Sequence, residues 1–248
     1  MNRLLGKVAV VTGAARGIGR AVARAFAQEG AIVYGADRQT EELETEMQFL
    51  RQAGLEAWTV PTDLLEISSV ARLSETVLAG HGRIDILANV AGVIIEKHLE
   101  ETTLEDWDRI ININLRGPFL TCQAFAPAMK KAQSGSIINV SSRAGVLGFA
   151  NEIAYCASKF GLEGLSRAIA KDLESFGIAV NTITPGVPTQ TSMSEQTYSL
   201  ETKKIWKDPI LITPAFVELA RQTSGGIHDQ YVNAWERSET LREQGWET

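Results

Sequence analysis

The chain has 248 residues, of which 44% are hydrophobic, and its formal net charge is −6. This length and apolar content suffice for one substantial core, so residues 1–248 are predicted to form a single domain. The negative charge argues against nucleic acid or an anionic membrane surface as a partner. No stretch of the sequence approaches the roughly 20 apolar residues that span a bilayer.

The N-terminal segment and the reactive side chains narrow the class of protein further. No long apolar segment precedes the first strand-like run, so we expect no secretory signal and a cytoplasmic protein. The two cysteines, Cys122 and Cys156, do not make a disulfide framework and are predicted to be reduced thiols. The three histidines are scattered without metal-ligand spacing, so no metal site is predicted.

Short apolar runs alternate with helical segments along most of the chain. Strands are predicted at 7–12, 31–36, 56–61, 85–90, 135–142, 178–183 and near 230–235. Helices are predicted at about 17–29, 40–53, 66–80, 104–131, 152–175 and 214–222. The alternation indicates an α/β fold with a doubly wound, Rossmann-type parallel sheet of about seven strands and helices on both faces. The expected strand order is 3-2-1-4-5-6-7.

The alternating pattern loosens after Pro185. Residues 187–212 are polar, rich in serine and threonine, and contain a proline near each end. Long segments of this kind in a compact domain are usually functional or mobile. We therefore predict a substrate loop or lid at about 187–212.

A glycine-rich turn, TGAARGIG at 12–19, follows the first strand and opens the first helix. Gly13, Gly17 and Gly19 permit positive φ and let the backbone approach a bound group closely. The helix N-terminus behind them offers free N–H groups and a positive dipole end, which suit a pyrophosphate. In this strand–turn–helix context a dinucleotide site is favoured over a tight structural turn.

An acidic residue, Asp37, ends the second strand in the segment YGADR. A carboxylate there accepts hydrogen bonds from both ribose hydroxyls of an adenosine and repels a 2′-phosphate, which favours NAD over NADP. Arg16 and Arg38 lie close by in sequence and could bind a 2′-phosphate, so NADP stays possible. A turn or helix cap is the competing interpretation of Asp37.

The segment AYCASK at 154–159 places Tyr155 and Lys159 four residues apart, on one face of a helix. A phenol with a pKa near 10 is a poor proton-transfer group at neutral pH. The nearby ammonium is expected to lower that pKa, as would a positively charged nicotinamide ring, and to make Tyr155 a general acid or base. Taken alone, the pair could equally be a solvated helix surface.

Together with NVAG at 89–92, these motifs resemble those of the short-chain dehydrogenase/reductase family in its single-domain form, from about residue 5 to residue 190. Ser142 precedes Tyr155 by thirteen residues, the usual offset in that family. The resemblance implies the catalytic residues Asn114, Ser142, Tyr155 and Lys159. It implies the cofactor-binding residues Gly13, Arg16, Gly17, Ile18, Gly19, Asp37, Arg38, Asp63, Leu64, Asn89, Ala91, Gly92, Tyr155, Lys159, Pro185, Gly186, Thr189 and Thr191.

The chain departs from the family pattern at three places. Val90 stands where the family usually has asparagine, and Pro188 stands where a branched apolar residue is common. The tail from residue 226 lacks the usual C-terminal motif. Substrate choice and packing at that end are not implied by the resemblance.

The predicted activity is reversible hydride transfer between a secondary alcohol and a carbonyl group, with NAD as cofactor and a small molecule as substrate. Ser142 would hold the substrate oxygen, Lys159 the nicotinamide ribose, and Asn114 a water that links Lys159 to solvent. By position, the substrate pocket is expected to be mainly apolar. Its predicted lining is Val93, Ile94, Val146, Leu147, Val187, Met193 and Trp206.

Two other classes of protein share parts of this pattern. A nucleotide-sensing or scaffold protein could keep the fold without turnover, but it would not need Ser142, Tyr155 and Lys159. A sugar-nucleotide epimerase or dehydratase can share the tyrosine–lysine pair, but it would need a larger C-terminal region. By resemblance, the chain is expected to form a homo-oligomer, a dimer of dimers, through the helices at 104–131 and 152–175.

Overall fold

The structure is a computed structural model, and it describes residues 2–246. Its strands are β1 (Val8–Thr12), β2 (Ile32–Asp37), β3 (Ala57–Pro61), β4 (Ile86–Asn89), β5 (Gly135–Val140), β6 (Ile178–Thr184) and β7 (Tyr231–Asn233). Its helices are α1 (Gly17–Gln28), α2 (Thr40–Gln52), α3 (Ile67–His81), α4 (Leu104–Ile111), α5 (Gly117–Ala132), α6 (Ile153–Leu173), α7 (Ser192–Thr197), α8 (Leu200–Lys203), α9 (Thr213–Ala220) and α10 (Ala234–Glu243).

The strands form one seven-stranded sheet in the order β3-β2-β1-β4-β5-β6-β7, and every pair is parallel. The predicted fold class and strand order are confirmed. Because the strands are parallel, their carboxyl ends meet at one edge of the sheet, and Thr12, Asn89 and Asn139 stand side by side there. Ligands in open parallel sheets bind at this edge.

Helices cover both faces of the sheet and explain why its strands are apolar throughout. All five residues of β1 are buried. Ala9 and Val11 join the core that includes Phe26 and Phe216, while Val8 and Val10 join the core on the opposite face. A strand buried on both faces cannot show the alternating pattern of a half-exposed strand.

The helix predicted at 104–131 is interrupted. α4 and α5 are separated by a π-helical segment, Asn112–Arg116. Pro118 lacks the N–H that would bond to the Asn114 carbonyl in an α-helix, so the regular pattern cannot continue there. Asn114 lies in this segment, and single π-helical turns of this kind are frequent at functional sites.

The segment predicted as a loop or lid, 187–212, contains the short helices α7 and α8. Thr191 caps α7 through its hydroxyl, which accepts a hydrogen bond from the Ser194 N–H at 3.0 Å. A backbone bridge between Thr189 and Lys207 joins the two ends of the segment. Across residues 2–246, no helix has both the length and the apolar content needed to cross a bilayer.

Candidate functional site

A cleft opens at the carboxyl ends of the first four strands. Most of the residues predicted to bind a dinucleotide meet there. The predicted residues that line it are Gly13, Arg16, Gly17, Ile18, Gly19, Asp37, Arg38, Asp63, Leu64, Ala91, Gly92 and Thr191.

The glycine turn forms the floor of this cleft by close backbone contacts. Gly13 has φ +71°, and a Cβ there would lie 2.8 Å from the Ala91 Cα. A Cβ on Gly19 would lie 2.0 Å from the Gly13 carbonyl oxygen. These positions exclude side chains, so the first turn of α1 can approach a ligand through its backbone.

Asp37 joins the glycine turn to the end of β2. Its carboxylate accepts hydrogen bonds from the N–H of Ala15 at 3.1 Å and of Gln39 at 3.0 Å. Arg16 and Arg38 are exposed beside it on the cleft wall. The cleft therefore presents both an acid suited to ribose hydroxyls and two guanidinium groups suited to a phosphate.

The side chain of Asn89, a predicted cofactor contact, is directed away from the cleft. It is buried, accepts a hydrogen bond from the Thr121 hydroxyl at 2.7 Å and donates one to Asn139 at 2.9 Å. Its polar atoms are thus used to tie β4 to α5 and β5. Asn89 therefore stabilises the carboxyl edge of the sheet through hydrogen bonds inside the fold, and it does not line the cleft.

The sequence interpretation missed several residues that line the cleft. Thr12 accepts hydrogen bonds from the N–H groups of Val90 and Ala91, at 3.0 and 3.2 Å, and so fixes the turn after β4. A usable signal existed for three of the missed residues, because Thr12 ends a strand and Thr62 and Val90 directly follow one. The missed residues are Thr12, Ala36, Gln39, Thr62, Val90, Ile113 and Ser192.

The predicted contacts after β6 divide into two groups. Thr191 lines the cleft, and a Cβ at Gly17 would lie 3.3 Å from its methyl group. Thr189 is buried, and its hydroxyl donates to the Val187 carbonyl at 3.0 Å. Pro185 and Gly186 precede this stretch and do not line the cleft, although Gly186 has φ +77° and so shapes the turn.

Tyr155 and Lys159 project from the first turns of α6, and Lys159 lies close to the cleft. A Cβ on Gly92, which lines the cleft, would lie 3.8 Å from the Lys159 Nζ. Lys159 is 4% exposed, and its ammonium donates a hydrogen bond to the Val140 carbonyl at 2.7 Å. The same Nζ lies 5.6 Å from the centre of the Tyr155 ring. Lys159 is therefore buried and Tyr155 partly buried, so the two residues are not a solvated helix surface.

Burial shifts the proton affinities of both groups. It raises the pKa of Tyr155, and a hydrogen bond from the Ser142 side chain opposes that rise. It lowers the pKa of Lys159 to about 8. The direction for Tyr155 without a bound nucleotide is opposite to the one we expected, because burial disfavours the charged phenolate.

Ser142 and Asn114 complete the set of predicted catalytic residues. Ser142 directly follows Ser141 at the end of β5, and its Oγ also accepts the Ala144 N–H at 3.1 Å. Asn114 is fully buried and exchanges two 2.8 Å hydrogen bonds with the backbone of Val93. A Cβ at Gly92 would lie 3.4 Å from the Asn114 Oδ1, so Asn114 and Lys159 flank the same glycine.

A group of polar side chains acts on Tyr155 or on Tyr198, which itself acts on Tyr155. We call Glu96, Arg143, Glu152 and Tyr198 the outer polar cluster. The charge of Glu152 adds to the burial that raises the pKa of Tyr155. Burial raises the pKa of Tyr198, where Arg143 acts in the opposite direction and Glu152 and Glu96 add to the rise.

The outer polar cluster changes the expected character of the pocket. Val146 and Leu147 are about half exposed, while Val93 and Met193 line the nucleotide cleft. A backbone bridge between Lys97 and Glu152 brings the 96–97 and 151–152 segments together. Ionic groups therefore accompany the apolar side chains predicted for this pocket, since the charge of Glu152 acts on the Tyr155 phenol.

The cleft fits a dinucleotide on two structural grounds. The glycine turn leaves no room for a Cβ at Gly13 or Gly19, and the N-terminus of α1 receives no side-chain cap from Arg16. The N–H groups at that helix start are therefore available to a bound phosphate. Among residues 2–246, no group of three His, Cys, Asp or Glu side chains is arranged to hold a metal.

A sequence model of the short chain dehydrogenase family matches residues 7–201. The D-threitol dehydrogenase of Mycolicibacterium smegmatis is 43% identical over 188 residues, covering 75% of this chain and 71% of that protein. Two solved structures are also similar.

The first is a protein assigned as an NAD(P)-dependent gluconate 5-dehydrogenase from Beutenbergia cavernae, with bound NADP. Its TM-score is 0.87 at 30% identity, over 94% of this chain and 98% of that one. The second is a metagenomic short-chain oxidoreductase in complex with NADP. Its TM-score is 0.81 at 36% identity, over 93% and 98% of the two chains. The chain therefore belongs to the short-chain dehydrogenase/reductase family and is an NAD(P)-dependent oxidoreductase that interconverts alcohols and carbonyl compounds.

Proposed function

We propose that this chain is an NAD-preferring dehydrogenase of small neutral polyols, with Tyr155 as its general acid and base. The observation that carries the proposal is the partly buried Tyr155 ring, 5.6 Å from the buried Lys159 ammonium, with Ser142 and Glu152 both acting on the proton affinity of its phenol. The proposal has three parts: the proton chemistry, the choice of nucleotide and the class of substrate.

In the proposed chemistry, a bound nicotinamide supplies the hydride transfer. The Ser142 hydroxyl holds the substrate oxygen, and Tyr155 takes its proton in oxidation and returns it in reduction. Lys159 binds the ribose and stabilises the phenolate. Asn114 positions the turn at Val93 and would anchor a water that links Lys159 to solvent.

The preference for NAD rests on Asp37. Its carboxylate is fixed by two backbone N–H groups and has remaining lone pairs that can accept ribose hydroxyls. Arg16 and Arg38 would instead attract the 2′-phosphate of NADP, and the two structural relatives described above carry NADP. We propose that repulsion between Asp37 and a 2′-phosphate outweighs their attraction.

The class of substrate follows from the outer polar cluster. Within residues 2–246, Glu96, Arg143 and Glu152 form no ion pair. The neighbouring Lys97 pairs with Asp106 at 2.6 Å. Unpaired carboxylates and a guanidinium can bond to several substrate hydroxyls. Two carboxylates against one guanidinium give a negative sum, which favours a neutral polyol over an aldonate. The relative named for D-threitol is consistent with that class.

A substrate panel tests this proposal. Purified protein is supplied with threitol, cyclopentanol or gluconate and with NAD or NADP, and the absorbance of the reduced nucleotide is followed. We expect kcat/KM for threitol with NAD to exceed that of the other combinations by about tenfold or more. A preference for cyclopentanol would remove the polyol assignment and keep the dehydrogenase. Turnover of no alcohol by protein that binds NADH would favour the silent scaffold.

Variants of the outer polar cluster locate the substrate contacts. Glu152→Gln and Tyr198→Phe are expected to raise KM for threitol several-fold, because each removes a hydrogen-bonding group. The same variants should change KM for cyclopentanol much less, since that substrate offers a single hydroxyl. Equal losses for both alcohols would show that the cluster acts only on pocket structure.

Four further statements about this protein are also proposals. We propose that residues 1–248 act as one dinucleotide-binding and catalytic domain and that residues 187–212 close over the substrate. We also propose a dimer of dimers through α4, α5 and α6, and a cytoplasmic location in which Cys122 and Cys156 stay reduced. Sedimentation at working concentration tests the assembly.

A further inference from the structure

A second buried ionisable group follows Lys159 on α6. Glu163 lies one helical turn later and is 7% exposed. Its Oε2 accepts a hydrogen bond from the Thr182 hydroxyl at 2.9 Å. Its Oε1 has no hydrogen-bond partner among the described residues. A buried carboxylate with an unpartnered oxygen is costly, so its retention calls for an electrostatic reason.

The surroundings of Glu163 connect it to the residue that holds Lys159. The Ser141 Oγ is likewise buried without a partner within residues 2–246. A Cβ at Gly145 would lie 2.7 Å from that Oγ and 3.2 Å from the Glu163 Cγ, so both side chains border the space that Gly145 leaves. Ser141 directly follows Val140, whose carbonyl accepts the Lys159 ammonium. Glu163 therefore lies beside the end of β5, where the Val140 carbonyl accepts the Lys159 ammonium.

The charge of Glu163 opposes the effect of burial on Lys159. Burial lowers the pKa of Lys159, and the Glu163 carboxylate is the charge that raises it. An ammonium that loses water gains most from an opposite charge in the same buried region. Without that charge, the proton on Lys159 would be lost nearer to neutral pH.

Several other ionisable groups lie near Glu163. Arg167, Asp229 and Tyr231 share with Glu163 a small cleft behind α6. Asp229 forms an ion pair with Lys171 at 3.1 Å. β6, which packs against α6, has no ionisable side chain, while the turn at 143–145, which also packs against α6, carries Arg143. Tyr155 and Arg167 lie on the same face of α6 as Glu163, and burial together with the charge of Glu163 raises the pKa of Tyr231.

We propose that Glu163 is a positioning residue that keeps the buried Lys159 ammonium charged, so that Lys159 can serve Tyr155 and the cofactor. The inference rests on the proposed roles of Tyr155 and Lys159. Glu163 itself touches neither substrate nor cofactor in this account. Its effect passes through the charge on Lys159.

Glu163→Gln tests the proposal, because glutamine keeps the shape and the acceptor for Thr182 but removes the charge. The first readout is the proton affinity of Lys159 in the protein without nucleotide, measured by competitive acetylation across pH with mass spectrometry of its peptide. We expect the midpoint to fall by about one pH unit. The second readout is the pH profile of kcat/KM, whose alkaline limb should move to lower pH by a similar amount.

Two control variants separate charge from structure. Asp229→Asn removes an acid from the same small cleft and should leave both midpoints unchanged. Glu163→Asp keeps the charge and should restore part of the wild-type midpoint. An acetylation midpoint that is unchanged in folded Glu163→Gln would overturn the proposal. Since this readout needs no turnover, a failure of the proposed dehydrogenase activity would remain distinguishable from it.

Discussion

The nucleotide-binding end and the catalytic end of the candidate site are formed by different chemical groups. The nucleotide end is made mostly of backbone, with the Gly13–Gly19 turn, the ends of β1 and β2, and N–H groups at the start of α1. The catalytic end is made of buried side chains that gain or lose protons. Tyr155 and Lys159 are both shifted by burial, in the directions that disfavour their charged forms.

This contrast determines what a substitution does at each end. At the nucleotide end, an added atom collides with the backbone, so the damage is steric and appears in nucleotide affinity. At the catalytic end, an altered side chain leaves the shape intact but changes a proton affinity, so the damage appears in rate and pH dependence. Substitutions at the two ends can therefore separate the two contributions.

The largest expected effect is at the catalytic end. Tyr155→Phe removes the proton donor and acceptor but retains the ring, so kcat should fall by about 1,000-fold. NADH affinity, measured by fluorescence, should stay within a few-fold of wild type. Turnover close to the wild-type rate would rule out Tyr155 as the acid and base.

At the nucleotide end, a large steric effect on nucleotide affinity is expected. Gly19→Ala places a Cβ 2.0 Å from the Gly13 carbonyl oxygen, a backbone atom that cannot rotate away. The turn must open, so NADH affinity should fall by about tenfold or more and Tm should drop. Gly225→Ala is the matched control, since the nearest atom to its Cβ is 4.0 Å away. Equal NADH affinity in the two variants would contradict the steric account.

A smaller effect concerns the choice of nucleotide. Asp37→Asn keeps the shape of the side chain but removes the repulsion of a 2′-phosphate. The ratio of kcat/KM with NAD to kcat/KM with NADP should fall by about tenfold. Arg38→Ala should change the ratio in the opposite direction. If Asp37→Asn left the ratio unchanged, Arg16 or Arg38 would be the stronger determinant.

A further effect concerns stability rather than catalysis and depends on pH. The pKa of Lys159 is about 8 in the fold and 10.5 for a free lysine, so the unfolded chain binds its proton more tightly. The resulting destabilisation is complete below about pH 8 and fades as pH rises toward 10.5. Lys159→Met removes it, so its Tm relative to wild type should increase as pH falls through that range and then level off. A difference that is constant with pH would contradict the shifted pKa.

The same contrast explains what could be predicted from the sequence. Strand order was predictable because alternating strands and helices leave few topologies for a parallel sheet. The cleft at the glycine turn was predictable because glycines at a strand–turn–helix junction leave few backbone alternatives. The interruption near Asn114 was missed because the predicted helix treated Pro118 as an ordinary position. The inward-facing role of Asn89 was missed because its partners, Thr121 and Asn139, are distant in sequence.

Proton affinities were harder to predict because they depend on burial. The spacing of Tyr155 and Lys159 gave their proximity, but the cost of burying each group comes from strands and loops that the spacing does not describe. The polar character of the pocket has the same origin. Glu96 and Glu152 approach each other only through the backbone bridge at Lys97, which pairs segments more than fifty residues apart.

The most direct test of this account is a spectrophotometric titration of the Tyr155 phenol, taken as wild type minus Tyr155→Phe, with and without saturating NAD. The account expects a pKa above that of free tyrosine in the protein alone, and a lower pKa when the positively charged nicotinamide is bound. A phenol that titrates below the free value without NAD, or is unmoved by NAD, would contradict it.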